Sequence, residues 1–251
     1  MNVFSLEGRR ALVTGGSRGL GADIVKLFAE QGAQVGYCQY GDDENAHNLA
    51  EKMARQGLPV AHTRCNVADE TSVDSLGEWA LEQLGDVDIL VNCAGIGGDL
   101  KFHELSIEAF DQMIAVHLRG TFLVTRQFFQ GMINRRWGRV INFSSQLAFK
   151  GAPGQSHYCA AKGGIVGFTR ALAYEGAPYG VTVNAIAPGP VETDMLMGLS
   201  DEWRDMKQAE LPIGRFGFPR EIAPTALLLA SEAGSFYVGQ NLSPNGGDVM
   251  L

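Results

Sequence analysis

The residues best suited to chemistry in this sequence are Ser145, Tyr158 and Lys162. Tyr158 and Lys162 have i, i+4 spacing in a stretch with helical periodicity, so their side chains lie on one face of that helix. An ammonium group beside a phenol lowers the pKa of the phenol from about 10, which would let Tyr158 exchange a proton with a carbonyl oxygen. Ser145 follows an apolar stretch, where its hydroxyl is placed to hold the same oxygen. A Tyr–Lys pair alone is usually a solvated surface pair, so this inference depends on the elements that position it.

A glycine-rich turn, with Gly15, Gly19 and Gly21, lies between the first apolar stretch and a helical pattern. Glycine gives such a turn its conformational freedom, and the N–H groups of a helix N-terminus bind phosphate. At the first β–α junction of a parallel sheet this pattern predicts a nucleotide site, although a purely structural turn is the alternative. A second run of small residues, NCAG at 92–95, follows the fourth apolar stretch.

Short apolar stretches alternate with helical patterns along the chain. We predict strands at 11–13, 34–40, 59–64, 87–91, 139–143, 181–186 and 240–243. We predict helices at 22–31, 44–55, 69–84, 107–134, 156–177 and 221–231. This order predicts an α/β fold, a single Rossmann-type doubly wound parallel sheet of about seven strands with helices on both faces. With no linker or repeat, we expect one domain over 1–251, and the three candidate sites meet at the carboxyl edge of its sheet.

The composition of the chain excludes several classes of protein and of binding partner. The 251 residues are 45% hydrophobic and carry a net charge of −8, which indicates a globular protein and argues against nucleic acid or an anionic membrane as the main partner. The four cysteines have no CxxC spacing and the histidines form no ligand pattern, so we expect free thiols and no metal. Without a signal peptide or an apolar run that spans a bilayer, a cytoplasmic protein is expected.

Together these motifs resemble the short-chain dehydrogenase/reductase family over residues 6–250. The resemblance is carried by TGGSRGLG (14–21), NCAG (92–95), Ser145 with YCAAK (158–162), PGPVETDM (188–195) and NGG (245–247). It is greatest to the 3-oxoacyl-thioester reductases of fatty acid synthesis, through GRVINFSS, VTVNAIAPGPVETDM and the NGG tail. The resemblance implies an enzyme with Tyr158 as the acid/base, Lys162 on the nicotinamide ribose, and Ser145 orienting the substrate oxygen.

The resemblance also implies a dinucleotide site along the carboxyl edge of the sheet. Its implied residues are Gly15, Ser17, Arg18, Gly19 and Leu20 at the phosphates and adenosine ribose, Asn66 and Val67 at the adenine, Asn92, Ala94, Gly95, Tyr158 and Lys162 near the nicotinamide ribose, and Pro188, Gly189, Val191 and Thr193 at the carboxamide.

Cofactor choice depends on Gln39, which stands where NAD-using members carry an Asp for the ribose 2′-OH. No acid is present there to repel a 2′-phosphate, and Arg18 could pair with that phosphate, so we predict NADP. Asp42 or Asp43 reaching back to the ribose would instead favour NAD.

Two positions depart from the family pattern. His117 replaces the Asn that holds a water between the lysine and solvent; an imidazole titrates near pH 6–7, so we expect the relay to survive with a different pH profile. The alternative is a satisfied, partly buried histidine. Carrier-protein reductases of this kind use two arginines; Arg136 matches one, whereas Tyr179 stands at the other. This difference favours a free ketone, a coenzyme A thioester or a ring substrate.

We therefore expect an NADPH-dependent ketone or 3-oxoacyl-thioester reductase. The alternatives are an NAD-dependent dehydrogenase of a secondary or cyclic alcohol, and a cofactor-sensing protein without turnover. The Met- and Gly-rich segment 193–219 is interpreted as a mobile substrate lid or, alternatively, as a permanently packed helical insertion. The resemblance also suggests a homotetramer joined through helix 107–134 and the Tyr158 helix, which would bury their apolar faces.

Overall fold

The structure, a computed structural model, describes residues 2–250. Its seven strands are β1 (Arg10–Thr14), β2 (Gln34–Gln39), β3 (Val60–Arg64), β4 (Ile89–Asn92), β5 (Gly138–Phe143), β6 (Val181–Ile186) and β7 (Asn241–Leu242). All of them pair in parallel, in the order β3-β2-β1-β4-β5-β6-β7. The predicted Rossmann-type α/β fold is confirmed.

Helices connect the strands and cover both faces of the sheet. They are α1 (Gly19–Glu30), α2 (Asp43–Arg55), α3 (Glu70–Leu84), α4 (Ile107–Ile114), α5 (Gly120–Arg135), α6 (Leu147–Lys150), α7 (Ser156–Gly176), α8 (Asp194–Met197), α9 (Asp201–Glu210) and α10 (Pro219–Ala230). The long helix predicted at 107–134 is interrupted, because a π-helical turn at Ala115–Arg119 separates α4 from α5. Helix α6 was not predicted, and α8 and α9 lie in segment 193–219, for which a helical insertion was the alternative to a mobile lid.

Two apolar cores lie on opposite faces of the sheet. On one face, α1, α2 and α10 bury residues such as Phe28, Met53 and Leu229 against the strands. On the other, α3, α5 and α7 bury residues such as Leu76 and Phe128. Each such side chain contributes about 1.5–3 kcal/mol when fully buried. The central strands β1, β4, β5 and β6 are therefore buried along almost their whole length, as a parallel sheet covered on both faces requires.

The strand order reverses between β1 and β4, which are direct neighbours although β2 and β3 lie between them in sequence. Thr14 at the end of β1 pairs in register with Asn92 at the end of β4, and Asn92 pairs with Asn142 of β5. In doubly wound sheets, ligands bind in the crevice outside the carboxyl ends of the strands at such a switch point. Within residues 2–250, no helix combines the length and the hydropathy needed to cross a bilayer.

Candidate active site

The turn after β1 is shaped for close approach to its neighbours. Gly15 and Gly19 adopt positive φ angles of 68° and 54°, a region that side chains disfavour. A Cβ on Gly15 would lie 2.9 Å from Ala94 Cα, and one on Gly21 would lie 2.1 Å from the Gly15 carbonyl oxygen. No side chain in the described part of the chain caps α1, so the N–H groups of its first turn, around Leu20, are available to an anion. This bare backbone fits the phosphates of a dinucleotide.

The ends of β1 and β4 are fastened together at this turn. Thr14 Oγ1 accepts hydrogen bonds from the backbone N–H groups of Cys93 and Ala94, both at 3.1 Å. A Cβ on Gly95 would lie 2.5 Å from His117 Cε1, so this position also requires glycine. The predicted small-residue segment therefore lets the chain pass between the glycine-rich turn and His117.

Ser145, Tyr158 and Lys162 meet at the same edge, as the sequence predicts. Ser145 follows β5, whereas Tyr158 and Lys162 lie in α7. Ser145 Oγ accepts a hydrogen bond from Leu147 N at 3.1 Å, which leaves its proton free for donation. The buried Nζ of Lys162 lies 5.6 Å from the Tyr158 ring centroid and donates to the Phe143 carbonyl oxygen at 2.7 Å.

Burial dominates the protonation of the Tyr–Lys pair. Burial raises the pKa of Tyr158 to about 12, and the nearby Ser145 hydroxyl opposes this only in part. Burial also lowers the pKa of Lys162 to about 8. The prediction that the pKa of the phenol is lowered is wrong for this arrangement, because burial raises it. The Lys162 ammonium bonds to the Phe143 carbonyl oxygen. Tyr158 therefore keeps its proton at neutral pH and is suited to act as a proton donor.

His117 lies in the π-helical turn and is buried. Its Nε2 lies 3.1 Å from the backbone N and 2.9 Å from the carbonyl O of Ile96, and its ring meets Tyr158 edge to face with centroids 5.3 Å apart. Burial, followed by the Lys162 charge, lowers the pKa of His117 to about 3. The expected titration near pH 6–7 is therefore wrong, and the imidazole is neutral at physiological pH. Its Nδ1 is buried with no hydrogen-bond partner among residues 2–250.

The adenosine end of the crevice contains a carboxylate that the sequence left undecided. Asp42 Oδ2 accepts a hydrogen bond from Ser17 Oγ at 2.6 Å and lies 3.7 Å from Arg18 Nε. The Arg18 side chain is 61% exposed and also reaches Asp194 at 3.3 Å. Gln39 is buried and donates to Asp43 at 3.2 Å. Asp42, rather than Gln39, thus stands beside the residues that were predicted to hold the ribose and its phosphate.

The residues predicted around the adenine and the nicotinamide ribose are held by local bonds. Asn66 Oδ1 accepts a hydrogen bond from the backbone of the β3–α3 connection at 3.1 Å, and Val67 is buried against α5. Asn92 Nδ2 donates to Thr125 Oγ1 and to Asn142 Oδ1, both at 2.9 Å. The Asn92 side chain thereby joins β4 to β5 and α5.

Residues 188–193 run from the end of β6 across to the glycine-rich turn. A Cβ on Gly189 would lie 2.6 Å from Asn245 Cα, so the chain passes directly against the C-terminal segment. Thr193 Cγ2 lies 3.4 Å from the position of a Cβ on Gly19. The structure therefore brings the predicted carboxamide segment to the same crevice as the predicted phosphate turn.

Beyond Thr193, the predicted lid segment is helical. Leu196, Leu211 and Phe216, with Trp203, pack into a small core of their own. Met195 of the same segment reaches the loop after β4. Its Cγ lies 3.1 Å from the position of a Cβ on Gly97. Whether this segment moves or packs permanently stays a prediction.

Sequence reasoning missed a contact between the loop after β4 and the residues just before Tyr158. Gln155, three residues before Tyr158, donates its side-chain amide to Asp99 Oδ1. Leu100 N also donates to Gly154 O at 3.0 Å, which fixes the loop after β4 against the start of α7. The only sequence signal was the proximity of Gln155 to Tyr158.

Comparison with known proteins decides the family. The family model for short chain dehydrogenases matches residues 9–204. The chain belongs to the short-chain dehydrogenase family. The predicted enzyme class, an NAD(P)-dependent short-chain dehydrogenase/reductase, is thereby confirmed.

Curated relatives of this short-chain dehydrogenase cover nearly its whole length. The 3-oxoacyl-(acyl-carrier-protein) reductase FabG of Aquifex aeolicus (strain VF5) is 40% identical over 97% of this chain and 98% of the relative. The protein of the same name from Vibrio cholerae serotype O1 is 39% identical over 99% of this chain and 100% of the relative. The predicted similarity to 3-oxoacyl-thioester reductases is confirmed.

Similar solved structures carry different names. A putative gluconate dehydrogenase from Agrobacterium tumefaciens superposes with a TM-score of 0.95 at 33% identity, covering 100% of both chains. A gluconate 5-dehydrogenase from Burkholderia cenocepacia J2315, in complex with NADP and tartrate, gives a TM-score of 0.93 at 32% identity, covering 98% of this chain and 97% of the other. The shared fold therefore does not by itself define the substrate.

Proposed function

We propose that this short-chain dehydrogenase is an NADPH-dependent reductase of ketones, with 3-oxoacyl thioesters as the substrate class. The observation that carries the mechanism is the convergence of Ser145, Tyr158 and Lys162 at one edge of the sheet. Burial also raises the pKa of Tyr158 to about 12. A phenol that keeps its proton at neutral pH is the group that a carbonyl reduction requires, because the carbonyl oxygen must gain a proton.

Each member of the triad has a role in this proposal. When bound, the nicotinamide supplies the hydride to the carbonyl carbon. Ser145 accepts a hydrogen bond from Leu147 N and keeps its own O–H to donate to the carbonyl oxygen. Tyr158 transfers its phenolic proton to that oxygen as charge develops on it. Lys162, anchored on the Phe143 carbonyl, holds the ribose and leaves a positive charge beneath the phenol ring.

The acyl thioester is supported by relatives named 3-oxoacyl-(acyl-carrier-protein) reductase. A carrier protein as the donor is less well supported, because Tyr179 stands where a second arginine is expected. Arg136 donates to the Pro178 carbonyl oxygen at 3.2 Å and lies 5.9 Å from the Tyr179 ring centroid. We therefore propose a free or coenzyme A-bound 3-oxoacyl group as the substrate.

NADP is supported by the absence of an acid at Gln39, by the exposed Arg18 guanidinium, and by the NADP complex of a structural neighbour. Asp42 is the specific observation that favours a second candidate, an NAD-dependent alcohol dehydrogenase. Its carboxylate stands beside Ser17 and Arg18, where it could accept a ribose hydroxyl and repel a 2′-phosphate. The name gluconate dehydrogenase of two structural neighbours fits the alcohol-oxidising part of this alternative, although one of them is in complex with NADP.

We further propose a homotetramer. Apolar side chains remain exposed on α4, α5 and α7, among them Phe110, Phe122 and Tyr174. Self-association through these helices would bury them. The predicted cytoplasmic location stays a prediction.

The deciding experiment is a titration of the purified protein with NADPH and with NADH, read by nicotinamide fluorescence, followed by turnover of 3-oxoacyl-coenzyme A, small ketones and secondary alcohols. Tighter NADPH binding with 3-oxoacyl turnover supports the proposal. Preferred NADH binding with alcohol oxidation establishes the second candidate. Binding of either cofactor without turnover of any substrate indicates a cofactor-sensing protein.

A further inference from the structure

Three separate parts of the chain converge on the carboxylate of Asp248. Lys150 at the end of α6 and Lys207 in α9 both donate to Asp248 Oδ1, at 2.7 and 2.8 Å. Gln146 donates its side-chain amide to the other oxygen, Oδ2. The side chain of Asp248 is only 5% exposed and that of Lys207 only 11%. Because this buried carboxylate accepts all three hydrogen bonds, it holds α6 and α9 together.

The turn that carries Asp248 packs directly against the end of α9. Gly246 and Gly247 adopt positive φ angles of 68° and 89°. A Cβ on Gly246 would lie 2.8 Å from Ile213 Cγ2, and one on Gly247 would lie 2.9 Å from Pro212 Cγ. Ile213 N also donates to Gly246 O at 3.2 Å. The turn and the segment that follows α9 thus form one tightly packed contact.

The other side of this cluster begins at the catalytic serine. Gln146 immediately follows Ser145, and its backbone N–H donates to the Pro188 carbonyl oxygen at 3.2 Å. The Gln146 carbonyl accepts from Lys150 N at 3.2 Å, which closes the short helix α6. Both ends of this helix therefore bond to Asp248, and the turn that they hold is the one from which the Ser145 hydroxyl projects.

The charges in the cluster balance. Burial alone would raise the pKa of Asp248, but hydrogen bonds from Lys150 and Lys207 bring it below its ordinary value. Glu210 Oε2 lies 3.1 Å from Lys207 Nζ and supplies the second anion for two cations. Removing one partner of such a buried group leaves an unpaired charge, which is strongly destabilising locally. The contact between α9 and the turn of Asp248 is therefore stable only when all four charged side chains are present.

We propose that Asp248 is a positioning residue that docks α9 onto the turn carrying Ser145, so that one carboxylate sets the wall of the substrate pocket relative to the catalytic hydroxyl. The segment 193–219, to which α9 belongs, also contains Met195, whose Cγ lies 3.1 Å from the position of a Cβ on Gly97 in the loop after β4. The inference rests on the proposed function only in assigning a ketone to this pocket.

The test compares Asp248→Asn with Asp201→Asn, a matched control that removes an ion pair to Arg204 on the exposed side of the same helix. The first readout is hydrogen exchange of the α9 amides in the full chain without substrate, and we expect it to quicken about tenfold in Asp248→Asn alone. The second readout is ketone reduction, for which we expect kcat/KM to fall about tenfold to hundredfold, chiefly through KM. NADPH affinity, measured by fluorescence, stays unchanged.

A double-mutant cycle separates positioning from general destabilisation. Lys207→Met removes one of the two ammonium groups that lose their shared carboxylate in Asp248→Asn, so the combined variant should lose less than the sum of the two single losses. Exchange and KM equal to wild type in Asp248→Asn would overturn the proposal, as would equal effects in Asp201→Asn or additive losses in the cycle. If Asp248→Asn does not fold, Lys207→Met gives the same two readouts. Faster α9 exchange in Asp248→Asn, together with no ketone turnover by the wild type, would refute the proposed function and leave the docking role standing.

Discussion

The ring of His117 meets the ring of Tyr158 edge to face at 5.3 Å, while Nε2 of the same histidine lies within bonding distance of the Ile96 backbone. The imidazole thus supports the proton donor from the side and fixes the loop after β4 at the same time. Because it is neutral at physiological pH, its role here is packing and hydrogen bonding rather than charge.

Replacing Tyr158 by Phe should abolish most turnover and leave the fold intact. General acid catalysis contributes about 10²–10⁴-fold, so we expect kcat to fall by that order while NADPH affinity is kept. Steady-state kinetics and fluorescence titration measure the two quantities. Tyr174→Phe, at an 85% exposed tyrosine of the same helix, is the control. Near-full activity in Tyr158→Phe would exclude the assigned mechanism.

The raised pKa of Tyr158 predicts different pH profiles for the two directions. Reduction needs the phenol, which persists below pH 12, so its kcat should not depend on Tyr158 between about pH 6 and pH 8. Oxidation needs the phenolate, whose population rises about tenfold with each pH unit below the pKa. Alcohol oxidation should therefore still be rising at pH 9 at saturating cofactor. A plateau already reached near pH 8 would show that Lys162 lowers the phenol pKa after all.

His117→Asn tests whether the histidine titrates during turnover. Since the pKa of His117 is lowered to about 3, the ratio of wild-type to variant kcat should be constant from about pH 5 to pH 8. A sigmoidal change of this ratio near pH 6–7 would mean that the imidazole gains a proton in the working enzyme.

Gly15→Ala should weaken cofactor binding through the backbone alone. The new methyl group would meet Ala94 Cα at 2.9 Å and force a side chain to a φ of 68°. We expect NADPH affinity to fall about tenfold or more, since even about 1.4 kcal/mol of displacement or strain has that effect. Gly167→Ala, in α7 with open space around it in the single chain, should leave NADPH affinity unchanged. Equal affinities for the two variants would place the phosphates elsewhere.

Two substitutions locate the ribose pocket. Gln39→Asp should shift preference towards NAD, and Asp42→Asn should tighten NADPH binding, each by at least about tenfold, because a carboxylate repels the 2′-phosphate. Paired titrations with both cofactors measure the shift. If Gln39→Asp has no effect while Asp42→Asn does, Asp42 is the residue that selects the cofactor; if neither matters, the pocket is misplaced.

The fold was predictable because strand and helix periods differ and alternate clearly along the chain. The convergence of Ser145 and Tyr158 followed from the rule that parallel strands end at one edge. The protonation state of Tyr158 could not be predicted in this way. The i, i+4 spacing places two side chains on one face, but it does not show that Lys162 extends to the Phe143 carbonyl oxygen. Charge balance at Asp248 was equally hidden, since its partners lie 98 and 41 residues away in sequence.

The π-helical turn was also beyond the sequence, since one turn of five residues shows the same apolar pattern as an α-helical turn. It has a consequence for how this protein can vary. One residue more than an α-helix needs rotates everything downstream by about 100° around the helix axis. Deleting any one residue of 115–119 would leave a regular α-helix. The rotation would then either turn His117 away from Ile96 or turn the buried face of α5 away from its core. The length of this segment, and not only its residue types, is therefore under constraint.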